Sequence, residues 1–585
     1  MAAEHTPAAA PGTDDPTAGT DTEQERSGTG DAPWPGPTEE LLRERGVDAP
    51  RARRVVELLA DGRPWRANEL VRASAVAHAV VAEVLRGLVA RGEAREEEDG
   101  TVRLVRPRDY AGAPVPTAAD PVAHLMAGRS GVLAVLERAV AEGPASDLDL
   151  DHVTATAETA LRRALFLATR FDLEGRTVLC VGDHDLTSVA LTLVVPGTRA
   201  VVVDLDERVL AHIDASADRL GLDIATHSAD LRLGLPPALR GAAEVVFTDP
   251  PYTPDGVELF VRRGLEGMAD PRRGRVLVAY GVSENTPRLA AATQARFSRL
   301  ELLVEALWPD FNRYHGAESI GAASDLYVLR PLARSLPSPG GEDARVYSQG
   351  ANAREARVGA DPERAGAVLA RVSEGTDGQG PEPLLVGSWP QGFEGAGRVR
   401  LSTWMKTPGP AHAHAVVDLT GGWERLAPRA GLAAPTGTGT VDVLVPSASV
   451  WVRDQAGQEA FRSLVEPRFG VRFLRGFGAR DLACLRLTVR GTETGSDPAG
   501  ALAAYVQGRA HGTLTSTLRA GLIEVTAALG RPVNKRTARH GVARAPGWVR
   551  GHTVVDLPEH RLRDLPQVCA ALLAQVDEGA DPVGH

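Results

Sequence analysis

Residues 176–206 read RTVLCVGDHDLTSVALTLVVPGTRAVVVDLD, and they decide the fold. An apolar run of strand length ends in Gly182, a helical stretch follows, and a second apolar run ends in Asp204-Leu205-Asp206. The alternation continues outward through AEVVFTDPPY (243–252) and GRVLVAYG (274–281) to LELLVEALWPDF (300–311) and SDLYVLRP (324–331). Upstream, HVTATAETALRRALFLATR (152–170) reads as a helix. Strands alternating with helices predict a doubly wound, mostly parallel α/β sheet, here Rossmann-like and closed by an antiparallel hairpin.

The ends of the strands carry the chemistry. A strand ending in glycine at the first βα turn is where such a sheet opens its ligand crevice. Gly182 is followed by Asp183, His184 and Asp185, without the further glycines of a dinucleotide fingerprint. Asp204 and Asp206 end the second strand, where a carboxylate bonds a ribose diol. Asp230 follows the third strand, placed to accept from the exocyclic amine of adenine, and Asp249 opens Asp249-Pro250-Pro251-Tyr252 after the fourth. One such acid is as often a helix cap or a turn residue. Four on one sheet edge predict a pocket for an adenosyl group, with Gly182, Asp183, Asp204, Asp206, Asp230 and Pro250 around it.

The series ETALRRAL, VGDHDLTSVAL, VVDLDERVL, ADLRLGLP, FTDPPYTPDGVELFVRRGL and DFNRYHGAESIGAASDLYVL resembles the branched-chain polyamine synthases, the N4-bis(aminopropyl)spermidine synthase family, over residues 45–332. The resemblance implies aminopropyl transfer from decarboxylated S-adenosylmethionine, as co-substrate, to an amine nitrogen of a polyamine, with methylthioadenosine released. The family's Gly-Asp-Asp-Asp motif falls on Gly182, Asp183 and Asp185, and His184 replaces its middle acid.

A neutral thioether leaves in that reaction, so no metal is expected. The nucleophile is the harder partner, because an amine with a pKa near ~10 arrives protonated. Asp185 and Asp249 are the candidates to orient it and take its proton, Asp185 being assigned to the attacked nitrogen. His184, Tyr252, Asp255, Glu258 and Glu318 are the candidates on the acceptor side, with Asp325 and His315 behind them. Two other readings remain open here. One is an S-adenosylmethionine-dependent amine methyltransferase acting through Asp249-Pro250-Pro251-Tyr252; the other is a DNA-binding regulator with a nucleoside-sensing domain.

At 585 residues the chain exceeds one hydrophobic core. Residues 1–38 contain no Leu, Ile, Val or Phe and are expected to be disordered. From 40 to 106 short helical patterns precede EAREEEDGTVRLV, a strand–turn–strand, so three helices and a hairpin predict a winged helix with 76–90 as its recognition helix. The hairpin carries Glu96, Glu97, Glu98 and Asp99, which favours docking or dimerisation over DNA. Residues 107–150 read as irregular within a transferase domain of 107–334, and 335–395 as a linker containing one helix. Residues 396–585 read as a separate α/β domain, with AHAVVDLTG, TVDVLVPSASVWV and DLACLRLTV as strands and ALAAYVQGRAHGTLTSTLRAGLIEVTAALG as helix. There His412, His414 and Asp418 resemble the first strand of S-adenosylmethionine decarboxylase, but no Glu-Ser-His follows, and a partner- or substrate-binding role is expected.

The net charge of −11 disfavours a nucleic-acid partner. Three scattered cysteines disfavour a disulfide framework and a structural zinc. With neither an 18-residue apolar run nor a signal pattern, a cytoplasmic protein without membrane partners is expected, as is a homodimer.

Overall fold

The computed structural model describes residues 34–110, 120–147, 150–281, 286–332, 362–374, 382–393, 397–491 and 496–578. Of the expected disordered tail, residues 1–33 lie outside the described residues. Trp34 is already buried, two residues before the first helix. Helices α1 (Gly36–Arg43), α2 (Ala49–Leu59), α3 (Ala67–Ser74) and α4 (His78–Ala90), with the antiparallel pair β1 (Ala94–Glu96) and β2 (Val102–Leu104), enclose one apolar core running from Trp34 to Tyr110. That core also takes in Ala322 from the larger unit. A Cβ on Gly321 would lie 2.7 Å from the Ala75 carbonyl, so the α3–α4 turn sits directly on this loop.

Residues 107–150 are less irregular than their sequence suggests. After α5 (Ala123–Met126), α6 (Ser130–Glu142) places Leu136 and Ala139 in the core shared with α7 (Ala157–Arg170). Apolar residues three and four apart in SGVLAVLERAVAE supply the stripe.

The large sheet follows: β3 (Thr177–Val181), α8 (Thr187–Val194), β4 (Arg199–Asp204), α9 (Glu207–Leu220), β5 (Ile224–Ser228), β6 (Val245–Thr248), α10 (Pro254–Gly267), β7 (Arg275–Tyr280), α11 (Pro287–Arg299), β8 (Leu302–Arg313) and β9 (Ala323–Pro331). Its order is β5-β4-β3-β6-β7-β9-β8, with β9 antiparallel to both neighbours and the rest parallel. Both faces are covered. Val178, Cys180, Val202 and Phe247 enter the core under α6 to α9, while Leu179, Val181, Val203 and Val246 enter the one under α10. Alternate residues thus serve opposite cores, which is why these strands are apolar throughout. The strand order reverses between β3 and β6, the switch point where ligands bind in such sheets.

A second sheet is built from β10 (Leu384–Val386), β11 (Arg398–Val399), β12 (His414–Asp418), β13 (Thr440–Pro446), β14 (Phe469–Arg475) and β15 (Leu482–Val489), in the order β11-β10-β12-β13-β15-β14. Helices α12 (Pro362–Ser373), α13 (Leu401–Lys406), α14 (Ala427–Leu432), α15 (Val450–Arg453) and α16 (Gln455–Val465) accompany it; α17 (Pro498–Gln507), α18 (Leu514–Ala528), α19 (Lys535–Ala543) and α20 (Glu559–Glu578) complete the unit. This unit therefore begins ahead of residue 396: inside the stretch 335–395 read as a linker with one helix lie α12 and also the strand β10. A three-residue strand among Gly and Pro is too short to show a period.

The second sheet repeats the connectivity of the first. With β10, β11, β12, β13, β14 and β15 set against β3, β4, β6, β7, β8 and β9, order and strand directions coincide, and only a counterpart of β5 is absent from the described sheet. The C-terminal segment seats on the β5 edge of the first sheet. Ser228 N–H donates to the Asp556 carbonyl (2.8 Å), His552 Nε2 meets the Thr226 carbonyl (2.8 Å), and Arg561 and His560 hold Asp214 on α9 (2.9 and 2.7 Å). An edge strand that would otherwise be open is thereby covered. Cys180, Cys484 and Cys569 are buried thiols. No helix among the described residues is long and apolar enough to cross a membrane.

Candidate active site

Helix α7 starts where Thr156 Oγ1 accepts from the Thr159 N–H, and two turns in it carries Arg163 into the interior with no exposed surface. A buried guanidinium is tolerable only if its charge and donors are met. Here Nη1 reaches Asp185 Oδ2 (2.8 Å) and Thr187 Oγ1 (3.3 Å), Nη2 reaches Asp249 Oδ2 (2.5 Å) and the Tyr314 hydroxyl (3.2 Å), and Nε reaches Asn312 Oδ1 (2.8 Å). The acids come from the ends of β3 and β6, the strands that flank the switch point.

Their surroundings drive the two carboxyls apart. Burial alone would raise Asp185, but the His184 imidazole and Arg163 outweigh it and hold Asp185 well below the usual carboxylate range. Its Oδ1 accepts from the Ala155 N–H (2.8 Å) and faces His184 Nε2 (3.1 Å). Asp249 is pushed up to about 7, by burial first, with the Asp185 charge working against Arg163. Tyr314 donates to Asp249 Oδ2 (2.8 Å), and the Tyr252 hydroxyl lies 3.5 Å from Oδ1. One carboxyl therefore stays anionic while the other exchanges its proton near neutrality, the division that sorts acid from base in paired sites.

His184 is raised, because the charges of Asp185 and Asp249 outweigh its burial. Its ring stacks on His152, centroids 4.5 Å apart, and burial plus the neighbouring imidazolium push His152 down to about 3.

Above this floor lies a cleft of about 450 Å³, lined by Gly182, His184, Asp204, Ala229, Asp249 and Pro251, with His152 and Phe260 at its sides. Gly182 has φ +71°, and a Cβ there would stand 3.1 Å from the Phe260 ring, so glycine is required. Asp204 accepts the N–H groups of Asp183 (3.1 Å) and Asp206 (2.8 Å) and keeps lone pairs for a ligand.

Other residues singled out in the sequence are placed differently. Asp183 caps α8, accepting from Thr187 N–H (2.8 Å) and Ser188 N–H (3.0 Å), and does not line the cleft. Asp206 caps α9 and grips Arg208 (2.6 Å). Asp230 is clamped by Arg232 (2.6 Å), which also donates to the Gly422 carbonyl (3.0 Å) and lies over Trp423, so this acid faces the second unit. Pro250 is buried, and Pro251 lines the cleft in its place. Asp255 and Glu258 are held by Arg296 of α11 (2.5 and 2.8 Å), and Glu318 by Arg72 of α3 (2.9 Å). Asp325 accepts the Asp310 N–H, and His315 contributes a backbone bond to Thr154. The sequence reading passed over Arg163, Asn312, Tyr314 and His152. Arg163 had a signal: it shares a helical stripe with Ala160, Ala164 and Leu167, all buried, where a charge demands an internal partner.

Among the described residues, the second sheet lacks this chemistry. Gly387, Ser388 and Trp389 stand where Gly182, Asp183 and His184 stand in the first, and the Trp389 indole bonds back to the Val386 carbonyl (3.0 Å). Asp418, at the end of β12, spends Oδ1 on Thr420. His414 is paired with Asp442 (3.0 Å) inside the sheet.

Residues 132–332 match the model of the branched-chain polyamine synthase A C-terminal domain. The N(4)-bis(aminopropyl)spermidine synthase of Thermus thermophilus is 36% identical over 203 residues, 34% of this chain and 58% of that one. A Methanocaldococcus jannaschii protein is 35% identical over 205 residues, 35% of this chain and 51% of that one. The chain thus spans about half the length of these curated relatives. The solved branched-chain polyamine synthase from Thermus thermophilus, in complex with N4-aminopropylspermidine and 5'-methylthioadenosine, aligns at 25% identity with a TM-score of 0.40, covering 53% of this chain and 96% of that one. Over the sheet that holds the cleft, the resemblance to the branched-chain polyamine synthase family is thus shown, and the matched segment ends with β9.

Proposed function

We propose that the chain is an aminopropyltransferase that moves the aminopropyl group of decarboxylated S-adenosylmethionine to an amine nitrogen of a polyamine. The observation that carries this reading is the Asp185–Arg163–Asp249 cluster at the switch point of a sheet that matches the polyamine synthase domain. The cleft suits a nucleoside: a glycine wall, the acid Asp204, and apolar flanks from Leu205, Leu231 and Phe260.

The donor supplies a carbon activated by its sulfonium, so the protein's own work concerns the amine. Asp249 lines the cleft and titrates near 7, which matches it to accept the proton released by the attacked nitrogen. Asp185 has both oxygens engaged and no place in the lining, so the role assigned to it in the sequence passes to Asp249. Asp185 instead keeps Asp249 basic through its charge. Tyr314 and Tyr252 fix the orientation of the Asp249 carboxyl. The N-terminal helices and hairpin act, in this reading, as a winged-helix docking module seated on loop 317–322, and the second sheet is a non-catalytic repeat bracing the β5 edge.

The test is incubation of the full chain with decarboxylated S-adenosylmethionine and, in turn, putrescine, spermidine and spermine, followed by mass spectrometry. An aminopropyl gain on a polyamine with stoichiometric methylthioadenosine supports the reading. A methyl gain from intact S-adenosylmethionine, with no aminopropyl product, replaces it by the methyltransferase reading.

A further inference from the structure

We propose that helix α19 docks the second unit on duplex DNA, lying in the major groove with its cations on the phosphates. The net charge of −11 that disfavours such a partner is an average over the chain. Residues 525–555 depart from it: they hold Arg531, Lys535, Arg536, Arg539, Arg544 and Arg550, and no Asp or Glu.

The fold turns most of these cations outward. Helix α19 packs on α18 and α20 and buries Ala538, Gly541 and Val542; a Cβ on Gly541 would meet Val576 of α20 at 3.4 Å. Lys535, Arg536, Arg539, His540 and Arg544 are exposed, and none of the five makes a side-chain hydrogen bond or an ion pair among the described residues. Other exposed arginines find acids: Arg219 holds Glu142 (2.9 Å) and Arg371 holds Glu374 (2.7 Å). The arrangement on α19 costs the folded chain stability. Lys535 and Arg536 stand at the positive end of the helix dipole. Arg539 follows them by four and three residues, the spacings at which like charges repel. A polyanion laid along this face removes the cost.

The shape of the face selects the polyanion. At about 100° per residue, Lys535 and Arg544 lie about 180° apart around the axis, with Arg539, Arg536 and His540 between them. A flat anionic membrane meets one side of such a helix, and the apolar residues that would enter it are already buried. A groove meets both sides. A helix with its side chains is about 10–12 Å across and the major groove of B-DNA about 12 Å wide, whereas that of an RNA duplex is too narrow. Contacts to phosphates carry no sequence information, so the binding is sequence-independent. The face belongs to the second unit, and the proposal stands apart from the transferase reading.

Fluorescence anisotropy of the full chain with a labelled DNA duplex of mixed sequence tests it. Binding is expected at 50 mM salt and should weaken by about 100-fold at 200 mM, as for about four phosphate contacts. Arg536→Glu combined with Arg539→Glu is expected to weaken binding by about tenfold or more and to make the salt dependence shallower. Its melting temperature should equal or exceed the parent's, because like charges are removed from α19. Arg480→Glu, at an exposed arginine on the β14–β15 turn, should leave the affinity within about twofold. The absence of saturable binding at 50 mM salt up to about 100 μM, the weak end of non-specific DNA affinities, overturns the proposal. So does undiminished binding by the folded double variant, or tighter binding to an RNA duplex of the same sequence or to phosphatidylserine vesicles than to DNA.

Discussion

Asp185 and Asp249 stand at the ends of neighbouring strands and hold two nitrogens of one buried guanidinium, at 2.8 and 2.5 Å from Arg163. Neither acid has that environment without the other, because a single cation is divided between them. The cluster links α7, β3, β6 and, through Asn312 and Tyr314, the end of β8. It is at once the floor of the cleft and a junction of the fold.

Removing the cation should therefore be felt in stability as well as turnover. Arg163→Leu strands two buried carboxyls, and the expected loss is about 3–5 kcal/mol, the range for breaking a buried pair. Urea unfolding of the variant measures it. Adding Asp185→Asn should restore part of that loss, and no restoration would mean that Arg163 acts through packing alone.

Asp249→Asn should lower turnover by ~100-fold or more, as expected for a positioned proton acceptor, while nucleoside affinity stays within a few-fold. In the parent protein the acceptor is the deprotonated carboxylate, so the rate at saturation should rise with pH through about 7. The variant should lose that limb. A parent profile flat between pH 6 and 8 would assign the proton to another group.

Two of the acids first read as nucleoside ligands, Asp204 and Asp230, should separate experimentally. Asp204 faces the cleft, so Asp204→Asn should weaken methylthioadenosine binding by about 1–3 kcal/mol. Asp230 faces the second unit through Arg232, so Asp230→Asn should leave that affinity unchanged and lower the melting temperature. Calorimetry and thermal melts on the same samples decide, and a fall in affinity for Asp230→Asn would return that residue to the donor site.

His552 at the β5 edge stacks on His227, centroids 3.9 Å apart, and is pushed down to about 4 by burial and by the neighbouring imidazole. Unfolded, it titrates near the ordinary histidine value of about 6.5, so the unfolded chain binds more protons between those values. Its contribution to stability is present above pH 6.5 and lost as pH falls toward 4. His552→Gln can keep a bond to Thr226 without the charge, and should flatten the acid sensitivity by about 2 kcal/mol between pH 7 and 5 relative to the parent. The comparison must be differential, because Asp183 and Asp249, raised to about 7, shift stability in the opposite sense over that range. Parallel pH curves for the two proteins would show that folding does not hold His552 below its ordinary pKa.

The linker assigned to 335–395 shows where pattern reading runs out. The strand β10 inside it belongs to the second sheet, and its three residues are buried only because β11 and β12 flank it. Asp255 and Glu258 give the same lesson at the level of charge. Acids at the start of a helix look available for a cationic substrate, and Arg296 on the next helix already neutralises them.

By itself, the amino-acid sequence determined the alternation of strands and helices from 176 to 330, the hairpin that closes it, and the presence of an acid at each of four strand ends. These follow from local order: apolar runs and turn residues write themselves into neighbouring positions. Tertiary structure alone decided which acids share a cation, which are consumed by caps or by arginines, and that the C-terminal residues repeat the first sheet's connectivity and seat on its β5 edge. Arg163 is 22 residues from Asp185 and 86 from Asp249 in the chain, yet within 3 Å of both in the fold. Electrostatic pairing acts through distance in space, and only the packed sheets set that distance.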